Sequence, residues 1–173
     1  MTIEQLRNHL DRFRDGDRQA FAEIYDRMKT PLFTVICRIA RDRETAEDIL
    51  HDLFVKLYQS PPDDTVGNPR AYIYKMARNL AVNSARRPAA DELSDALADP
   101  VPPVSETAAD RLDIAEGMRR LAADEAEIVS LHLYGGLTFR EIAGIAGVPL
   151  GTVLWKYRRA IGKLRNYLNG GNT

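Results

Sequence analysis

The chain lacks the features that define several large protein classes. Cys37 is its only cysteine, so neither a disulfide framework nor a thiolate zinc site is available. Its neighbours Phe33, Val35, Ile36 and Ile39 suit a buried core thiol. No apolar run approaches the length needed to span a bilayer, and the opening MTIEQLRNHLDRFRDGD is too polar for a signal peptide. A cytoplasmic protein without direct membrane insertion is therefore expected. Strand signals are missing too, because β-branched residues are sparse and do not alternate. There is no nucleophile–base pairing and no phosphate-binding glycine loop, so no catalytic residue and no small-molecule substrate are expected. Acidic residues are absent over long stretches, from Thr65 to Ala90 and everywhere after Glu141.

What is present is a soluble globular composition, 45% hydrophobic and 28% charged, over 173 residues, enough for one medium domain or two small ones. The net charge of −1 conceals a division. Residues 1–87 carry 15 basic residues against 13 acids, residues 88–116 one against eight, and residues 117–173 eight against four. Such segregation bears on partners more than the net value does, since a nucleic-acid binder needs only its contact faces to be basic.

Periodicity and capping signals predict an all-α chain. A first amphipathic helix covers 2–14 (Ile3, Leu6, Leu10, Phe13), and Asp17 caps a second that carries Ala20, Phe21, Ile24, Tyr25 and Met28. Thr30-Pro31 reads as a cap followed by proline at the first helical position, which predicts a third helix from there to about Ala40. A fourth follows Asp42 to about Gln59. Asn68-Pro69 repeats the cap-plus-proline signal, and a fifth helix runs to about Arg87. Pro88 to about Val104 carries four prolines and several acids and reads as a linker. Helices resume from about Ser105 (Ala109, Leu112, Ala115, Met118, Leu121) and again from Asp124 to about Leu133. The expected organisation is a helical bundle over 1–87, a linker over 88–104 and a second helical domain over 105–170.

The second domain ends in LTFREIAGIAGVPLGTVLWKYRRAIGKLRNYL, residues 137–168. Thr138 and Glu141 form a capping box, Ile142, Ala143 and Ala146 supply small apolar side chains, and Gly147 stops the helix. After the Val148-Pro149 turn, Val153, Tyr157, Ala160 and Leu164 recur as a buried stripe. Thr152, Trp155, Lys156, Arg158 and Arg159 fall off that stripe. A short support helix, a small-residue turn and a basic second helix are the parts of a helix-turn-helix, whose second helix enters the major groove.

Two further surfaces stand out. The fourth helix is expected to bury Ala46, Leu50, Leu53, Phe54 and Leu57, leaving Glu44, Glu47, Asp48, His51, Asp52 and Val55 on the other side. That face is either a solvated acidic surface or a dock for a basic partner. The spacing of Glu47 and Asp48 to His51 also suits a metal, but carboxylate-bridged bundles need the pattern twice, and His9 and His132 have no such neighbours. No metal or cofactor is expected. The fifth helix, NPRAYIYKMARNLAVNSARRP, combines Arg70, Lys75, Arg78, Arg86 and Arg87 with Tyr72, Tyr74, Asn79 and Asn83. Ile73, Met76, Ala77, Leu80 and one of the tyrosines are expected on its core side. Cations for the backbone and aromatic or amide groups for unstacked bases suit nucleic acid.

Phe21–Tyr25, AEDILHDLFVKLY (46–58), NPRAYIYKMARNLAVNSARR (68–87) and GLTFREIAGIAGVPLGTVLWKYRRAIGKLR (136–165), in that order, resemble an extracytoplasmic-function sigma factor of the sigma-70 family. The resemblance implies a non-catalytic protein that binds core RNA polymerase, through the clamp helices of its largest subunit and its flap, and directs it to promoter DNA. It implies polymerase docking through Glu47, Asp48, His51 and Asp52. It implies recognition and melting of the −10 element by the loop 60–68 and by Tyr72, Lys75, Arg78, Asn79, Asn83, Arg86 and Arg87. The −35 element falls to Thr152, Trp155, Lys156, Arg158 and Arg159, with Arg140 on the backbone. The linker would thread toward the polymerase cleft, and an anti-sigma factor would control the protein. His51, Tyr72, Asn83, Leu150 and above all Leu154 and Trp155 depart from the usual pattern. Exposed Leu154 and Trp155 would meet thymine methyls or be covered by another protein. The competing reading is a helix-turn-helix regulator that acts without polymerase, in which the acidic fourth helix and the long fifth helix have no purpose.

Overall fold

The computed structural model describes residues 1–85 and 108–170, and the described residues are helical with no strand. Arg86, Arg87, the predicted 88–104 linker and the side chains of Ala109 and Leu112 lie outside the described part. The chain divides into two compact units, Met1–Leu97 and Ala98–Thr173.

Short polar side chains fix where the first four helices begin. Thr2 caps α1 (Ile3–Arg14), accepting from Gln5 N–H at 3.1 Å while Gln5 Oε1 accepts from Thr2 N–H at 2.9 Å. Asp17 caps α2 (Arg18–Ala40), accepting from the Gln19 and Ala20 amides at 3.0 and 3.3 Å. Asp42 caps α3 (Arg43–Gln59) through Thr45 N–H at 2.7 Å, and Asn68 caps α4 (Pro69–Ala85) through Ala71 N–H at 3.2 Å.

The predicted break at Thr30-Pro31 does not occur. Pro31 lies inside the continuous helix α2, and the Thr34 hydroxyl donates to the Thr30 carbonyl at 3.0 Å. An internal proline costs about 3 kcal/mol. Just beyond it Leu32, Phe33, Val35 and Ile36 are all buried, three of them completely. Each such side chain contributes about 1.5–3 kcal/mol on burial, so keeping the helix intact outweighs one lost backbone bond. Arg41, at φ 60°, ends α2 in the left-handed region.

In this unit α2 packs against α1, α3 and α4. On α3 the buried residues are Ala46, Ile49, Leu53, Phe54 and Leu57. Ile49 therefore takes the position predicted for Leu50, which is half-buried. Its three- and four-residue spacing from Ala46 and Leu53 places it at the centre of the stripe. On α4 the buried residues are Ile73, Tyr74, Ala77 and Ala81, while the predicted Met76 and Leu80 are half-buried at its flanks.

In the C-terminal unit, α5 (Ala108–Arg119), α6 (Ala123–Leu133) and α7 (Phe139–Ala146) each pack against α8 (Leu150–Gly170). Met118, Leu121, Ala126, Val129 and Ala160 form the core there, and Ile114, Tyr157 and Leu164 pack on it half-buried. The close approach of α5 to α8 depends on Gly117. A Cβ there would lie 3.0 Å from Leu164 Cδ2 and 3.2 Å from Tyr167 Cδ1. The Thr138–Glu141 capping box opens α7, with Glu141 N–H on Thr138 Oγ1 at 3.3 Å and Thr138 N–H on Glu141 Oε2 at 2.8 Å. Gly147, at φ 68°, ends it, which turns the chain toward α8.

Candidate nucleic-acid and protein interfaces

The burial of Ile49, Leu53 and Leu57 turns the opposite side of α3 outward. Glu47, Asp48, His51 and Asp52 are all exposed there, with Val55 beside them. Arg43 holds Glu47 through its Nε at 2.9 Å, a surface pair of small energetic weight. Among the described residues no group of three His, Cys, Asp or Glu side chains is arranged to hold a metal ion.

The same logic divides α4. Tyr74 is the core tyrosine, 1% exposed, and burial pushes its phenol well above its ordinary pKa. Tyr72, Lys75, Asn79 and Asn83 succeed one another at steps of three and four, so they share one face, and all four are exposed. Arg78 is half-buried beside them. Sequence spacing does not show that these two faces meet. An open cleft of about 470 Å3 between α3 and α4 is lined by Asp48, Ile49, Asp52, Leu80, Asn83 and Ser84. One wall is acidic and the other carries amide and hydroxyl groups.

On the C-terminal unit, the ring of His132 stacks on Phe139 with centroids 4.4 Å apart and meets the edge of Tyr157 at 5.1 Å. Its Nδ1 lies 2.8 Å from the Leu137 carbonyl oxygen. The stack ties the start of α7, where Arg140 is exposed, to the middle of α8.

The outward residues of α8 differ from one another more than their sequence suggests. Arg158 and Trp155 are exposed, whereas Thr152 and Lys156 are half-buried. Lys156 donates to Asp124 of α6. Lys163 Nζ donates to Glu125 Oε2 at 2.7 Å, and Arg159 Nε sits 3.3 Å from Glu125 Oε1. Three of the helix's cations are thus held by two acids of α6. Leu154, expected to be exposed, is half-buried, so of the pair only Trp155, at 56%, stands open to solvent. Burial pushes the Glu125 carboxyl up, but hydrogen bonds from Lys163 and the Ala122 amide, with the charges of Lys163 and Arg159, hold it below its usual range. The Lys156 hydrogen bond does the same for Asp124. Asp124 and Glu125 are partners of these cations that the sequence pattern does not show. They stand 32 and 38 residues from Lys156 and Lys163, and no local pattern links them.

Two helical units, one with an acidic face beside a tyrosine- and amide-bearing basic helix and one ending in a helix-turn-helix, suit a protein that meets nucleic acid. The family model described as Sigma-70 region 2 matches residues 24–90, and Sigma-70, region 4 matches residues 117–166. The chain belongs to the extracytoplasmic-function sigma factors of the sigma-70 family. It is 29% identical over 170 residues to the ECF RNA polymerase sigma factor SigK of Mycobacterium ulcerans, covering 89% of this chain and 88% of that one. SigK of Mycobacterium tuberculosis strain H37Rv is 28% identical over 171 residues, covering 92% and 91%. Among solved structures, CnrH in complex with the cytosolic domain of CnrY superposes with a TM-score of 0.67 at 18% identity, over 96% of this chain and 98% of that one. RpoE of Bartonella quintana in complex with the anti-sigma factor NepR gives 0.66 at 20% identity, over 86% and 96%. At these identities the two structures speak for the fold.

Proposed function

We propose that this sigma factor docks on core RNA polymerase through the exposed α3 face, with Glu47, Asp48, His51 and Asp52 as its contacts. The loop 60–68 and α4 then read and melt the −10 element through Tyr72, Lys75, Arg78, Asn79 and Asn83, with Arg86 and Arg87 continuing the basic stretch. Exposed tyrosine and asparagine side chains suit bases that have left the stack, while cations hold the backbone. The observation that carries this reading is the cleft shared by Asp48, Asp52 and Asn83, which joins the docking face to the strand-separating face in one compact unit. Melting then takes place at a fixed position relative to the polymerase.

Residues 105–170 read the −35 element with α8 in the major groove. Arg158 serves the phosphates, Thr152 and Trp155 lie at the base side, and Arg140 meets the backbone. Lys156 and Arg159 contribute only as far as Asp124 and Glu125 release them. The acidic 88–104 segment links the two readers and suits a basic nucleic-acid channel. An anti-sigma factor restrains the protein in the cytoplasm, by likeness to RpoE of Bartonella quintana, which is bound by the anti-sigma factor NepR. The role is non-catalytic.

The test is co-purification of the double variant Asp48→Lys, Asp52→Lys with core polymerase. Reversal of two charges on the docking face should abolish the complex while the circular dichroism spectrum stays helical. An unchanged complex would refute the docking face.

A further inference from the structure

Trp155 is the only tryptophan in the chain and the most exposed large apolar side chain among the described residues. It is not loose. The Arg159 guanidinium carbon lies over its ring, 5.2 Å from the centroid. Arg159 is held in turn, its Nε 3.3 Å from Glu125, whose side chain is 3% exposed. Glu125 is itself fixed, since it accepts from the Ala122 backbone amide at 3.1 Å and from Lys163 at 2.7 Å. A buried carboxylate thus orients an arginine, and the arginine clips an indole to the surface of α8.

We propose that Trp155 is a specificity-determining residue that recognises the 5-methyl group of a thymine in the −35 element, and that Arg159 is its positioning residue. This rests on the −35 reading of α8 given above. An exposed indole on a helix seated in the major groove presents mainly apolar area, and the thymine methyl is the apolar group that base edges offer there. A floppy tryptophan would lose rotamer freedom on binding, whereas one already clipped loses little. The clip also assigns Arg159 differently from Arg158. Arg158 is free to meet a phosphate, while Arg159, shared between Glu125 and the ring, is committed to holding Trp155.

The test is initiation by reconstituted holoenzyme on a selected promoter in which each −35 thymine is replaced, one at a time, by uracil, which removes only the methyl. Wild type should lose about fourfold at one position, the effect of withdrawing one methyl from an apolar contact. Trp155→Ala should erase that thymine preference, Trp155→Phe should keep part of it, and Arg159→Gln should reduce it. Equal use of thymine and uracil at every position by wild type would overturn the methyl reading. An unchanged preference in Arg159→Gln would overturn the clip. These failures are distinct from failure of the −35 reading, which would show as normal −35 dependence in Arg158→Ala.

Discussion

Lys163 of α8 donates to Glu125 of α6 at 2.7 Å, and the carboxylate that receives it is 3% exposed. This is the most enclosed ion pair among those found in the described residues, and it lies where α8 meets its support. Glu125→Gln keeps the shape but removes the charge that answers Lys163 and Arg159. The variant should lose about 1–2 kcal/mol, or about 5–10 °C in the melting of so small a domain. Lys163 is 40% exposed and partly screened, which keeps the loss below that of a fully buried pair. A melting temperature equal to wild type would show that the pair is only a surface contact.

Acid should weaken the same seam. Asp124 and Glu125 are both held below their ordinary pKa values, so the unfolded chain takes up protons at higher pH than the folded one. Their stabilisation is complete above the unfolded carboxylate value of about 4 and is lost as pH falls through the depressed folded values. Thermal melts should therefore be level from about pH 6 to 8 and fall below about pH 4, less steeply in Glu125→Gln. A decline on raising the pH from about 6 to 8 would contradict the assignment.

Two glycines should respond in opposite senses. Gly117→Val drives methyl groups into Leu164 and Tyr167, and overpacking of this kind costs about 1–3 kcal/mol. Gly144 lies in α7 with open space around the Cβ position, so Gly144→Ala should gain up to about 1 kcal/mol from helix propensity alone. Denaturant midpoints of the two variants would check both signs. Equal shifts would mean that the α5–α8 approach is not set by Gly117.

Much of this was legible in the chain, and the failures share a cause. The Thr2, Asp17, Asp42, Asn68 and Thr138 caps are local devices, set by residues within three positions, so their helices begin close to where the sequence indicates. Pro31 misled because its local cost of one backbone bond competes with burial of Leu32, Val35 and Ile36 against other helices, which the local pattern does not contain. The exposed face of α3 was readable from periodicity, although Ile49 and Leu50 were exchanged within the stripe. Lys156 falls off the buried stripe in sequence, and its tie to Asp124 is invisible there because the two are adjacent only once α6 packs on α8. Leu154 read as exposed for the same reason.

Promoter selection is measured most directly by run-off transcription with purified core polymerase on a pool of promoter fragments, with and without this protein. The protein should direct initiation from fixed start points downstream of paired −10 and −35 elements, and the Asp48→Lys, Asp52→Lys variant should leave the polymerase as unselective as core alone. Transcripts identical to those of core polymerase in the presence of the wild-type chain would contradict this role.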